Sequence, residues 1–410
     1  MSEPIKKITL KDGTVRYRFV VDIGRDPETG KRKQKTYTFD TKREARAAYD
    51  KIRHQTNEGT YIMPTKITVS QYLDDWMEGA TRELRDSSKR SYKDALRPVR
   101  ERLGSMPMQK VTKADIERMV TWMETAGRRR GGKPGTGLGP RSVRLTLGRL
   151  TAAFEMATLE GLIPRNVAKL VKPPKYEPEE PDTWSQAEVR KFLRKAGTDR
   201  LHAAWRLSLY GLRRGEVLGL RWVEDVKFGS FANQCKRHKE RGCVPCYGSG
   251  RTYKPGTVQV QQARVLVEGK VQIAPPKSRN GLRELPLDAT VASALRALKV
   301  TQAAEKLAAG EAYVDSGYVV VDELGEPVHP EWYSDEFRRL SKRAGVKTIV
   351  LHEGRHTALS LMEKASVPIS IVSKWAGHYD TAFTYSTYVH ASDDDLKTGT
   401  DALGKIYKLN

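Results

Sequence analysis

Gly211-Leu212-Arg213-Arg214-Gly215-Glu216, read together with His352-Glu353-Gly354-Arg355 and Trp375-Ala376-Gly377-His378, decides how this chain folds. The first piece opens an amphipathic helix carrying Val217, Leu218, Leu220 and Trp222, and the second begins a helix carrying Ala358, Leu359, Leu361 and Met362. The third closes a helix. Tyr388 lies ten residues beyond His378 and is followed by Val389 and His390. Val258-Gln259-Val260, Val265-Leu266-Val267, Val271 to Ala274 and Leu282 to Leu287 read as strands. The last two, joined through Lys277-Ser278-Arg279-Asn280-Gly281, predict a hairpin with an Asn-Gly turn and Lys277 at its tip. From about Glu331 the chain turns mostly helical, and Ser185 with Glu188 predicts a capping box near the start of this half.

The remainder divides by pattern. Val15, Tyr17, Phe19, Val21 and Ile23 alternate with Arg16, Arg18, Val20 and Asp22, the period of a half-buried strand. A turn at Asp26-Pro27-Glu28-Thr29-Gly30 leads to a strand over Lys33 to Phe39. Thr41 and Glu44 then cap a helix whose apolar stripe is Ala45, Ala48, Tyr49 and Ile52. This predicts a small three-stranded sheet with one helix over residues 1–60. Its outward positions are expected to carry Arg16, Arg18, Lys33 and Lys35, a basic face suited either to a DNA groove or simply to water. Residues 61–175 read as a helical domain. One helix is marked by Val69, Tyr72, Leu73 and Trp76, and one runs from Ser87 to Leu103 with Pro98 expected to kink or split it. A third is capped by Thr112, and a fourth opens at Ser142 with Leu145, Leu147, Leu150, Phe154 and Leu159 as its apolar members. Arg128-Arg129-Arg130-Gly131-Gly132-Lys133-Pro134-Gly135 reads as a basic loop and a DNA-contact candidate. The Pro-rich run from Lys172 to Asp182 is a linker, and residues 176–410 form the last domain, interrupted by an insertion near 232–254.

Composition narrows the function. The chain has 410 residues, with 73 Lys+Arg against 50 Asp+Glu for a net charge of +23, and a pI near 9.8. Such a balance suits a polyanionic partner, most simply nucleic acid. Residues 1–60 alone hold 15 Lys+Arg against 9 Asp+Glu. Hydrophobic residues at 38% suffice for packed cores, which argues against wholesale disorder. No apolar run approaches the roughly 20 residues of a membrane span, and the N-terminus lacks the apolar core of a secretory signal. A cytoplasmic, nucleoid-associated protein is expected. Three Cys exclude a disulfide framework.

Each chemical piece is weak alone, but their order and spacing are not. An Arg in a Gly-x-Arg-x-x-Glu helix start, a hairpin Lys, a His-x-x-Arg, a Gly-His and a Tyr ten residues on all occur in sequence, and this half resembles the catalytic domain of tyrosine recombinases, specifically phage or integrative-element integrases. Residues 61–175 resemble the family's helical core-binding domain and residues 1–60 its arm-type binding domain. The resemblance implies an α+β multidomain fold with a mainly α catalytic domain. It also implies a site-specific strand transferase that cuts and rejoins DNA through a 3′-phosphotyrosyl intermediate, without a cofactor, to integrate or excise a mobile element. Tyr388 would be the nucleophile. A phenol suits the task because its phosphate ester stores the bond for religation. Arg213 and Arg355 would clamp the phosphate, since planar permanent cations match its oxygens. Lys277 would protonate the leaving 5′-oxygen. His352 and His378 would donate hydrogen bonds and move protons near neutral pH, and Glu216 would orient Arg213 and His352. Tyr385 and Tyr379 compete with Tyr388 but lack its spacing and its Val389-His390 sequel. Arg214 is read as structural and His356 as packing or capping. Where the family has Asp-Leu between His and Arg, this chain has Glu353-Gly354, and Gly there is expected to loosen the helix start.

All three Cys fall in one window, Cys235-x-x-His238-x-x-x-x-Cys243-x-x-Cys246, four soft ligands in two close pairs that could hold a structural zinc. The alternative is an insertion with free thiols. Expected partners are duplex attachment sites, three further copies of the chain, an excisionase and a DNA-bending protein. Two other functions share features of the pattern: a type IB topoisomerase-like enzyme, opposed by the arm-type domain, and a catalytically silent DNA-binding regulator, opposed by the complete residue set.

Overall fold

The structure, a computed structural model, describes residues 3–25, 32–57, 61–129, 131–178, 181–232, 252–276 and 279–378. It forms two compact units, Met1–Pro178 and Glu179–Asn410.

The first unit begins with an antiparallel sheet of β1 (Lys6–Thr9), β2 (Val15–Arg25) and β3 (Arg32–Phe39), followed by α1 (Lys42–Asn57). Phe19 and Val21 of β2 are buried with Ala45 of α1, and Tyr49 meets the Phe19 ring edge-on at 5.3 Å. Strand alternation sends the neighbouring residues the other way. Arg18, paired across the ladder with Lys6 and Thr38, and Arg16, paired with Ile8, lie on the outer face. Arg16 also forms an ion pair with Asp40. Lys35 does not belong to that outward set. It sits opposite Val21, on the side of Tyr37 and Phe39, with its ammonium 5.6 Å from the Tyr37 ring centroid. The same period of two that buries Tyr37 and Phe39 places residue 35 with them. The Lys33 side chain lies outside the described part.

The helices α2 (Val69–Ala80), α3 (Asp86–Leu103), α4 (Lys113–Ala126) and α5 (Pro140–Leu159) complete this unit. Capping boxes at Thr68/Gln71 and Thr112/Asp115 start α2 and α4. Pro98 does not split α3, which runs unbroken through it; Pro98 is buried beside Leu96 and Val99, so packing holds the turn whose hydrogen bond the ring removes. Helix α5 starts at Pro140, two residues before Ser142, because proline's fixed φ suits a first helical position. Its core side is Val143, Leu147, Leu150, Ala153, Phe154 and Ala157, whereas Leu145 and Leu159 are exposed. The basic loop after α4 is an ordered turn: Arg128 N donates to Thr136 O at 2.8 Å and the Arg128 side chain to Gly131 O at 2.8 Å and Gly137 O at 3.1 Å. Arg129 pairs with Glu101 and lies 5.3 Å from the Trp122 ring centroid. Arg130 lies outside the described residues.

In the second unit α6 (Gln186–Ala196), α7 (His202–Leu209) and α8 (Arg214–Gly219) precede β4 (Val226–Lys227), β5 (Ser230–Ala232), β6 (Thr252–Lys254), β7 (Thr257–Val260), β8 (Ala263–Val267), β9 (Lys270–Ala274) and β10 (Arg283–Pro286). Then come α9 (Ala289–Ala309), α10 (Pro330–Arg343), α11 (Leu351–Lys364) and α12 (Ile369–Ala376). The Ser185/Glu188 capping box opens α6. The predicted hairpin between 271–274 and 282–287 does not form. Strand β9 pairs with β8 across Glu268-Gly269, whose φ angles of 52° and 80° make the tight turn, and β10 pairs with β7 in the order β10-β7-β4. Asn280-Gly281 lies in a single 3-10 turn between β9 and β10. The core joins Trp184, Phe192, Trp205, Tyr333 and Phe337, with Trp205 stacked on Tyr333 at 4.3 Å. Trp184 pins α11 through its backbone N to Thr357 Oγ1 at 3.0 Å. Gly354 does not loosen that helix: it is buried, and a Cβ there would stand 3.5 Å from Leu209 and 3.6 Å from Phe337. No described helix is long and apolar enough to cross a membrane.

Candidate active site

Four elements of the second unit converge around the carboxylate of Glu216. Arg213 is the N-cap of α8, and its backbone N donates to Glu216 Oε2 while its Nη1 donates to Glu216 Oε1, both at 2.8 Å. Helix α8 is short, six residues, so Leu220 and Trp222 fall beyond its end. Arg214 points elsewhere, donating to Ser334 Oγ at 2.8 Å.

Arg355, on the first turns of α11, is only 2% exposed. Its Nη1 donates to Gly211 O at 2.6 Å and its Nη2 to Ala376 O. One guanidinium thus bridges the turn before α8 and the end of α12. Arg213 Nη2 reaches the same end at Gly377 O, 3.5 Å away. Gly377 ends α12 at φ 62°, ψ 43°, the left-handed conformation glycine adopts without penalty. That turn delivers His378, whose backbone carbonyl accepts from Asn280 Nδ2 at 3.0 Å.

Arg283 of β10 is the member that the sequence reading missed. It donates to Glu216 Oε2 at 2.8 Å and Oε1 at 3.1 Å, and its Nε donates to Trp375 O at 2.7 Å. Its side chain is 5% exposed, against 38% for Arg213. Glu216 orients Arg213 as expected, but its second partner is Arg283 and not His352. The one signal available was the alternation within Arg283-Glu284-Leu285, which puts Arg283 on the same side as the buried Leu285.

Burial pushes the Glu216 carboxyl up, but the hydrogen bonds and charge of Arg283, then the charges of Arg213 and Arg355, outweigh it and hold the group at about 2. The histidines go the same way for a different reason. Desolvation first, then Arg355 and Arg213, lower His378 to about 4 and lower His352 as well. His356, edge-on to His352 with centroids 4.7 Å apart, is lowered to about 4 by burial, His352 and Arg355. Both imidazoles of the expected site are therefore neutral in the empty enzyme near pH 7, each able to donate one N–H and accept at the other nitrogen. Three guanidinium groups surround one carboxylate, and the excess positive charge calls for an anion. Lys277 and Tyr388 lie outside the described residues, as do Cys235, His238, Cys243 and Cys246. Among the described residues no group of three His, Cys, Asp or Glu is placed to hold a metal ion.

Arg213, Arg283 and Arg355 gathered around Glu216, beside His352 and His378, form an arrangement chemically suited to binding a phosphate-like anion. Residues 254–395 match the phage integrase family, residues 4–56 an arm DNA-binding domain, and residues 68–123 the N-terminal SAM-like domain of phage integrases. A tyrosine recombinase XerC-like protein of Caldanaerobacter subterraneus subsp. tengcongensis is 25% identical over 97% of this chain and 98% of its own length. An integrase of Streptomyces ambofaciens is 25% identical over 96% of this chain and 94% of its own. The fold is shared with the Tn1549 transposon integrase in complex with circular-intermediate DNA, at TM-score 0.61 and 20% identity over 82% of this chain and 99% of that one. It is also shared with a lambda integrase tetramer bound to a Holliday junction, at TM-score 0.51 and 18% identity over 95% and 97%. The chain belongs to the tyrosine recombinase family of phage integrases and is a DNA strand transferase of that family.

Proposed function

We propose that Tyr388 attacks the scissile DNA phosphorus while Arg213 and Arg355 hold its nonbridging oxygens. The Tyr388 Oη–P bond forms, the P–O5′ bond breaks, and Lys277 gives its proton to the leaving 5′-oxygen. His352 and His378 donate hydrogen bonds to the phosphate and relay the phenolic proton. A 5′-hydroxyl of the partner strand then reverses the step, so bond energy is conserved and no cofactor is needed. The observation that carries this reading is the convergence of Arg213 and Arg355, from helices distant in sequence, on the Ala376-Gly377 turn that presents His378. Phosphate arriving there offsets the guanidinium charge that lowers the histidines, and their proton affinity rises as the reaction needs.

The test is a nicked suicide duplex built from the element's own end DNA. The wild-type chain should form a covalent adduct stable to denaturation, and Tyr388→Phe should bind the duplex without forming one. An adduct persisting in Tyr388→Phe removes Tyr388 from the role.

The wider assignment follows the same reading: an arm-type domain over 1–60, a core-binding domain over 61–175 and a catalytic domain over 176–410. It includes assembly as four copies on paired attachment sites, with an excisionase and a DNA-bending protein, in the cytoplasm. Arg16 and Arg18 would contact arm-site DNA. A structural zinc on Cys235, His238, Cys243 and Cys246 rests on ligand spacing in the sequence, and the purified chain should then carry about one equivalent of zinc. Metal-free protein with three titratable thiols would end that part.

A further inference from the structure

Arg283 occupies a place that charge balance alone does not require. Glu216 already has one arginine, Arg213, and a buried carboxylate with a second, fully enclosed guanidinium is a fixed piece of architecture. Three of the Arg283 bonds tie β10 to two other elements: two go to Glu216 on α8 and one, through Nε, to the Trp375 carbonyl at the end of α12. A fourth, Nη1 to Gly281 O at 3.2 Å, ties in the turn that follows Lys277. Asn280 of that turn in addition donates to His378 O. A Cβ on Gly377 would stand 2.7 Å from Asn280 O and 3.1 Å from Arg283 Nη1, so the turn and the α12 end are in close contact.

We propose that Arg283 is a positioning residue for strand cleavage. By holding Glu216, Gly281 and Trp375 in one planar fork, it sets the Arg213 guanidinium, the Arg279–Gly281 turn and the His378 turn relative to one another. Arg283 touches no DNA; it acts through Glu216 and two carbonyls. This rests on the roles proposed above for Arg213 and His378.

Of the other cations, Arg213 and Arg355 act on Glu216 and none replaces Arg283. Arg355 of α11 is committed to Gly211 O and Ala376 O, and Arg264 of β8 to Val328 O and Pro327 O. Arg214 of α8 turns to Ser334, and His352 and His378 are held neutral. Removing Arg283 therefore leaves the burial of Glu216 opposed mainly by Arg213. Its proton affinity rises, and a protonated Glu216 no longer fixes Arg213.

The experiment measures adduct formation on the suicide duplex from pH 5 to 8 in full-length Arg283→Met, Arg283→Lys, Tyr388→Phe and wild type, with folding checked by circular dichroism. Arg283→Met should lose about 100-fold in rate at pH 8, the scale of a misplaced catalytic group. It should also gain an acid limb beyond the wild-type pH dependence, with the rate falling further as pH falls. Duplex affinity should be unchanged. Adding Glu216→Gln to Arg283→Met should abolish the limb, because an amide does not titrate there. Arg283→Lys keeps the charge but not the fork, and should regain the wild-type profile with only part of the rate. A folded Arg283→Met with wild-type rate and profile overturns the proposal, as does a folded variant with reduced rate but no acid limb. Should Arg283→Met not fold, Arg283→Lys carries the test: a rate reduced to part of wild type at unchanged duplex affinity supports the proposal, and full wild-type rate overturns it. An adduct surviving in Tyr388→Phe overturns the functional reading instead.

Discussion

Arginine is used in opposite ways in the N-terminal sheet and around Glu216. On the outer face of β2, Arg18 stands on an exposed ladder position, and Arg16 forms an ion pair with an Asp40 that is 69% exposed. Around Glu216, Arg355 is 2% and Arg283 5% exposed, and each has its donors on specified carbonyl or carboxylate oxygens. An exposed guanidinium loses little hydration, gains little from a neighbour, and remains free to trade water for phosphate. A buried one must have its donors satisfied or it destabilises the fold. The first arrangement supplies affinity that salt erodes; the second supplies geometry. Substitutions in the two places should therefore fail differently.

Arg355→Met should have the largest effect. It strands two buried carbonyls, Gly211 O and Ala376 O, at a cost of about 2–4 kcal/mol, and it removes the proposed phosphate clamp, so adduct formation should fall by about 1,000-fold. Chemical denaturation and the suicide duplex read the two quantities. A stability change within about 0.5 kcal/mol, the range of ordinary surface substitutions, would show that Arg355 is held no more tightly than the arm arginines.

Acid should come next and should act on the second unit. His356 and His378 sit at about 4 in the folded chain, below the ordinary 6.5. A lowered folded value means that the unfolded chain takes up the proton first. Their contribution to stability is thus complete above pH 6.5 and is lost as pH falls from there toward about 4. Urea melts at pH 7.5, 6 and 5 should show this decline, and His356→Gln should flatten part of it. A melt unchanged between pH 7.5 and 5 would contradict the burial of both rings.

Gly377→Ala follows. The residue sits at φ 62°, and its new Cβ would meet Asn280 O at 2.7 Å. The expected cost is about 1–3 kcal/mol, with cleavage reduced because His378 moves with the turn. Melting temperature and adduct rate report both.

These contrasts also explain what was readable in the sequence. The residues proposed to bear chemistry, Arg213, His352, Arg355 and His378, could be picked out by their types and order, and helix starts were legible from local caps such as Ser185/Glu188. Strand pairing was not. The Asn280-Gly281 pair carries a strong hairpin signal, yet β9 found its partner in β8 through Glu268-Gly269, because pairing depends on which strand arrives alongside and not on one dipeptide. Arg283 was illegible for a related reason. The alternation of Arg283 with Leu285 was the only local sign, and it does not tell which face is buried until β10 is seen paired with β7. Leu145 and Leu159 of α5 show the same limit from the apolar side, being exposed on a helix whose core stripe runs through Val143, Leu147 and Phe154.

The smallest effect belongs to the sheet and tests its faces. Arg18 and Lys35 are both basic strand residues, and sequence alone placed both outward. In the structure only Arg18 shares the outer face with Lys6, while Lys35 lies opposite Val21 with its ammonium 5.6 Å from the Tyr37 ring centroid. A cation over an aromatic face contributes on the order of 0.5–1 kcal/mol. Lys35→Gln should therefore cost no more than about that in stability and leave DNA binding nearly unchanged. Arg18→Gln should do the reverse: stability within about 0.5 kcal/mol, but binding to random-sequence duplex weakened, with the slope of log affinity against log salt reduced by about 1. Titrations at four salt concentrations separate the two. Equal slope changes for Arg18→Gln and Lys35→Gln would mean that both cations reach phosphate, and the assignment of opposite faces to these two residues would have to be abandoned.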